Sequence, residues 1–169
     1  MASISVAGDT SGSITIAAPA VSGTNTLTLP ASTGTVMVNG PAFSAYQSSA
    51  QTPSANTFTK ILFQTEEFDT NNNFASSTFT PTVAGYYQIN LTATSSALNL
   101  ALITIYKNGS IYKNVGQTNG TPYGASVSCL IYCNGSTDYI EGYIYISTST
   151  ATLATIQTTY INGAMVRSA

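Results

Sequence analysis

Apolar and polar residues alternate along most of this chain with the period of a half-buried β-strand, and turn residues interrupt the alternation at short intervals. Residues 86–93 place Tyr87, Ile89, Leu91 and Ala93 on one face. Residues 102–107, the dipeptide Asn108-Gly109 and residues 110–113 spell a hairpin with a two-residue turn. A strand is predicted over 57–64 and an Asx-rich turn over 69–73. Asn119-Gly120, Asn134-Gly135 and Asn162-Gly163 mark further turns or bulges. Between 139 and 146, Ile140, Ile144 and Ile146 take one face of a strand while Tyr139, Tyr143 and Tyr145 take the other. Short strands at this spacing predict an all-β fold, a β-sandwich or jelly roll.

The first 40 residues read differently. They hold no aromatic residue, one charge (Asp9) and three short apolar alternations, at 13–16, 26–30 and 35–38. Two or three apolar side chains cannot bury a face alone. Residues 1–40 are therefore expected to form an extended arm with short strands, ordered against neighbouring chains or a larger body. Asn39-Gly40-Pro41 is a turn signal that sets the boundary, and residues 41–169 form a knob long enough for a sizeable core. Ile14, Ile16, Leu27, Leu29, Val36 and Val38 are the arm's candidate anchoring residues.

Composition narrows the function. Charged residues make up 6% of the chain, four Lys and Arg against six Asp and Glu, where an ordinary soluble domain carries about 25%. Four cations do not build a nucleic-acid groove. The absence of His removes the commonest general base and metal ligand. Apolar runs fall far short of the roughly 20 residues of a spanning helix, and no basic, apolar signal opens the chain. The expectation is a protein made in a cytosol, with no membrane insertion and no nucleic-acid partner. In place of charge stand 27 Thr, 21 Ser and 13 Asn, which favour sheet and turns. Cys129 and Cys133 share a strand face but lie about 13 Å apart, so they are expected as reduced, packed thiols.

A lone sandwich leaves the outer face of each sheet wet. Here the outer face of 139–146 carries tyrosines instead of Lys and Glu, and Tyr106 repeats the pattern. Tyr is amphipathic and enriched where proteins meet. Tyr87, Tyr106, Tyr139, Tyr143 and Tyr145 are the candidate contacts between copies of the chain, the alternative being an ordinary aromatic surface ladder.

Phe63, Asp69, Phe74, Phe79, Gly85, Tyr87, Ile89 and Leu91 together resemble the signature of the complement C1q globular head, a family that shares a trimeric jelly roll with tumour necrosis factor. The stretch 79–87 fits that signature's Phe, five residues, Gly-x-Tyr. Asn134 to Glu141 is similar to the family's Gly-Asp turn, and Tyr160 to Val166 to its closing strand. The resemblance implies a jelly-roll homotrimer. Gly12 to Pro19 and Gly23 to Pro30 resemble a segment common in tail-fibre and other structural proteins of bacteriophages, cyanophages included. That likeness implies a virion component.

Catalysis finds little support. Asp138 and Glu141 point to opposite faces of a strand, so they do not form the facing carboxyl pair of a glycosidase. Glu66, Glu67, Asp69 and Asn71 cluster hard oxygens and are the weak candidates for calcium, the one cofactor considered. The reading is a non-enzymatic phage virion protein, synthesised in the host cytoplasm and placed on the particle surface. It would be a homotrimeric capsid decoration, a cement or head-fibre knob, bound through its arm to the major capsid protein or to tail components. Forty residues reach at most roughly 130–145 Å, too short for a long fibre. The alternative is a tail-fibre tip or receptor-binding protein for host attachment, holding surface glycans with Tyr and Asn.

Overall fold

The computed structural model describes residues 3–7, 10–17, 23–24, 40–95, 101–117, 123–147, 153 and 158–169. The chain divides into two compact units, Met1–Gly34 and Thr35–Ala169, a few residues before the turn read at Asn39-Gly40-Pro41. In the first, β1 (Ser3–Ala7) and β2 (Ser13–Ala17) form an antiparallel hairpin. Ile4 lies opposite Ile16 and Val6 opposite Ile14. All four are exposed, so one face of the hairpin is apolar and uncovered. The alternation Ser3-Ile4-Ser5-Val6 is the sequence signal for β1, a strand beyond the three alternations read in the arm. Of the other anchoring candidates, Leu27, Leu29, Val36 and Val38 lie outside the described residues.

The second unit is a sandwich of two antiparallel sheets. One has the order β11-β8-β13-β3-β5. Its strands are β3 (Ala42–Tyr46), β5 (Thr65–Asp69), β8 (Ala84–Ser95), β11 (Tyr123–Asn134) and β13 (Tyr160–Ser168). The other has the order β10-β9-β12-β7-β6, with β4 also paired to β12. Its strands are β4 (Thr59–Lys60), β6 (Phe74–Ala75), β7 (Thr78–Phe79), β9 (Ala101–Lys107), β10 (Ser110–Gln117) and β12 (Ile140–Ile146).

The core follows the period of two. Alternate residues of β8 (Tyr87, Ile89, Leu91 and Ala93) are buried, and across the sandwich Ile103, Ile105, Ile140, Ile144 and Ile146 meet them. Each such side chain contributes about 1.5–3 kcal/mol on burial. Phe43 stacks between Phe74 and Phe79, with ring centroids 5.0 and 4.2 Å away. Cys129 and Cys133 are free thiols facing the core, and burial pushes the Cys133 thiol up to about 11.

Two expectations need correction. The strand predicted over 57–64 shrinks to Thr59–Lys60. The Ile61 N–H still donates to the Gly142 carbonyl of β12, and past it side chains replace a sheet partner: the Leu62 N–H donates to Gln51 Oε1 and the Phe63 N–H to Ser77 Oγ. Ile61 and Phe63 are still buried, so the apolar positions were right and the ladder was not. Tyr87, expected between copies, is a core residue. It packs edge-on to Phe79 at 5.5 Å and its hydroxyl donates to the Val83 carbonyl at 2.6 Å. Its parity with Ile89 and Leu91 dictates that position, whatever its residue type.

Candidate functional site

Function in a sandwich of this kind rests on its outer faces and loops. On the six-stranded sheet, Tyr106, Tyr143 and Tyr145 do gather, but they cover one another. Tyr106 stacks on Tyr143 at 4.0 Å, and Phe58, from the loop before β4, leans on Tyr106 at 5.9 Å and on Tyr145 at 5.4 Å. Burial pushes the Tyr106 and Tyr143 phenols above their usual range. Polar groups border the rings. Lys60 Nζ donates to Glu141 Oε1 at 2.7 Å and to Thr78 Oγ1 at 2.6 Å, and the Tyr145 hydroxyl donates to Asn56 Oδ1. Tyr139 sits apart at the entry to β12, half-buried, its N–H donating to Asn108 Oδ1.

The outer face of the five-stranded sheet is more open. Leu130 is 52% exposed, Phe68 51%, Tyr132 41% and Tyr86 40%. Between them runs a neutral band of amides and hydroxyls. Gln88 Nε2 donates to Ser128 Oγ, Ser128 Oγ to Asn90 Oδ1, and Asn90 Nδ2 to Asn162 Oδ1. Thr92 and Ser126 share a hydroxyl–hydroxyl bond of 2.8 Å. Charges appear only towards the rim, at Glu67, which accepts from Ser44 Oγ at 2.6 Å, and at Arg167, where β13 bulges. A depression of about 290 Å³ opens on this face, with small residues Ala42, Ser44 and Ala164 in its lining and Phe68 beside them. The sequence reading marked Glu67 as a calcium candidate and Asn162 as a turn residue, but not Leu130, Tyr132, Tyr86 or Phe68 as a surface. The signal was present, because Leu130 and Tyr132 have the opposite parity to Cys129, Ile131 and Cys133.

The calcium candidates are not brought together. Asp69 fastens its own turn, accepting the N–H groups of Asn71 at 3.2 Å and Phe74 at 2.6 Å. Glu67 holds Ser44, while Asn71 Oδ1 accepts from the Thr70 hydroxyl at 2.9 Å. The β3–β5 register shifts here, with Glu66 opposite Ala45, Phe68 opposite Ser44 and Glu67 the extra residue between them. Among the described residues no three His, Cys, Asp or Glu side chains are grouped to hold a metal ion. A different carboxylate is well used. Asp138 ties the β9–β10 turn to the β11–β12 turn, accepting from Asn108 Nδ2 at 2.7 Å, Lys107 Nζ at 2.9 Å and the Asn134 N–H at 3.0 Å.

Solved structures share this architecture. The globular domain of zebrafish complement 1qA protein superposes with a TM-score of 0.60 at 14% identity, covering 76% of this chain and 99% of its own. Murine APRIL at pH 8.0 gives 0.63 at 8% identity, covering 76% of this chain and all of its own. The PRD1 vertex protein P5 gives 0.56 at 18% identity, covering 75% of this chain and 73% of its own. No protein-family model and no curated protein sequence matches the chain. The likenesses show the fold, the all-β jelly roll of the C1q and tumour necrosis factor-like domains, which a phage vertex protein also carries.

Proposed function

We propose that this chain is a non-enzymatic structural protein of a phage virion, a homotrimeric jelly-roll knob that decorates the capsid and is held to the particle by its N-terminal arm. The observation that carries the reading is the outer face of the five-stranded sheet, neutral across its middle and set with exposed Leu130, Tyr132, Tyr86 and Phe68. Three copies hide such a face without opposing like charges. Five strands about 4.8 Å apart, the longest of twelve residues, give a face roughly 24 by 40 Å, of the order of the 800 Å² that each partner of a stable interface buries. The contact thus lies on the five-stranded sheet instead of on Tyr106, Tyr143 and Tyr145, which Phe58 and their own packing shelter, or on Tyr139, which stands apart from them. Likeness to the PRD1 vertex protein supports the phage assignment, and the arm's phage-like segments support anchoring.

The test is location. Gold-labelled antibody against the knob should decorate capsids, and deletion of residues 1–38 should leave a folded knob that no longer binds particles. Knobs that unfold on deletion, or that still bind, contradict the arm assignment. A second reading, a receptor-binding tip for host glycans, draws on the Phe58, Tyr106, Tyr143 and Tyr145 patch with its polar border. Label at the tail tip and retention of the isolated knob on host cells would favour it.

A further inference from the structure

We propose that the β1–β2 hairpins of three copies pack their apolar faces together into a stem, so that what covers each hairpin is the same hairpin of the neighbouring chains. The inference rests on the trimer reading and adds to the knob a separate contact in the arm. Ile4 lies opposite Ile16 and Val6 opposite Ile14, and all four are between 58% and 75% exposed. The other face pairs Ser5 with Thr15 and Ala7 with Ser13, small or hydroxylated side chains that are exposed as well. A two-stranded hairpin is marginal in water until its apolar face is covered.

The two faces indicate what covers it. A hairpin laced between shell proteins is buried on both sides, and strands buried on both sides read as apolar on both. This hairpin has one aliphatic face and one hydroxyl face, so it is covered from one side and wet on the other. Asp9, the one charged side chain of the first 40 residues, falls between the strands and not within them. Identical aliphatic faces therefore meet without burying an unpaired polar group. About a three-fold axis each hairpin is covered by the other two, whereas pairing leaves the third face open. Size indicates when the stem forms. Two strands of five residues present a face of about 17 by 10 Å, far below the roughly 800 Å² per partner of a stable interface. Hairpins alone do not associate, and the tether supplies the rest. Residues 18–41, between β2 and β3, reach at most about 86 Å. That limit keeps the arms of one trimer at a mutual concentration on the order of 1 mM or higher. The stem thus closes once the knobs have joined. Ile14 and Ile16 then serve copies of the chain, and particle binding falls to the rest of the arm.

The experiment is thiol cross-linking of the full chain in solution with a bismaleimide spanning about 10 Å, the spacing of packed sheets. Ile16→Cys should be linked into covalent dimers holding about two thirds of the chains, because three equivalent thiols around one axis form one bridge. Thr15→Cys, on the hydroxyl face, should stay as single chains on a denaturing gel, as should the parent, whose own thiols are buried. An Ile16→Cys protein that scatters light as a trimer but does not link would overturn the stem and leave the trimer standing. Equal linking of Thr15→Cys would overturn the facing. A parent that scatters as one chain removes the trimer reading, and the stem with it. If Ile16→Cys disturbs the hairpin, hydrogen exchange in the parent reads the same contact. Its hairpin amides should exchange at least about tenfold more slowly than those of Ile4→Asp with Ile16→Asp, with knob amides and trimer mass unchanged. Equal exchange in the two proteins, or hairpin protection found only on assembled particles, contradicts the proposal.

Discussion

At Gly163 the cross-strand neighbours on β8 and β3 leave no room for a side chain. A methyl group there would stand 2.5 Å from Ile89 Cδ1, 2.9 Å from the Gln88 carbonyl oxygen and 3.0 Å from Phe43 Cε1. Two of those atoms belong to the packed core, so Gly163→Ala should lower stability by about 1–3 kcal/mol in urea unfolding. Unchanged stability would show that the core yields more readily than its packing implies. Parity along β8 and β12 was legible from the sequence because alternate burial is a property of the strand itself. Asn162-Gly163 shows where such reading ends. The dipeptide looks like a turn, yet it lies inside β13, where Gly163 leaves room for the Ile89 and Phe43 side chains of the adjacent strands and Asn162 extends the outer amide row. Nothing local separates those uses, because the neighbour that excludes a Cβ is remote in sequence.

Among the elements, the β9–β10 hairpin was the most legible. Asn108 and Gly109 take φ of 52° and 75°, both left-handed, as a two-residue turn between twisted strands requires. The turn is held from outside by Asp138, whose carboxyl is kept below its ordinary value by the Asn108 side chain first and by Lys107 and the Asn134 N–H as well. The folded state therefore favours the carboxylate. Its contribution to stability is complete above the unfolded value of about 3.9 and is lost as pH falls below it through the lowered folded value. Thermal midpoints should drop over that acid range, and Asp138→Asn should flatten part of the drop. A variant with the same acid profile as the parent would show that the clasp does not couple to folding. Residues 62 and 63 were less legible than the hairpin, because glutamine and serine side chains took the bonds that a neighbouring strand supplies elsewhere.

For the whole molecule, the sequence pattern predicted an outer face too aromatic to stay wet on the sheet of Tyr139, Tyr143 and Tyr145, and the contact proposed above lies on the other sheet. Whether a tyrosine is free depends on what folds over it, and Phe58 arrives over Tyr106 and Tyr145 from a loop that no periodicity foretells. Tyr86 and Tyr132 lean on each other at 5.4 Å, yet they remain exposed, as do Leu130 and Phe68. The jelly roll itself was legible through spaced aromatic and glycine positions, since those make the stacked core of Phe43, Phe74 and Phe79. Association through the five-stranded sheet is the claim on which the proposed trimeric knob depends. Static light scattering of the full chain at micromolar concentration tests it most directly. The account predicts three times the chain mass of 17.5 kDa, and a reading of 17.5 kDa would contradict it.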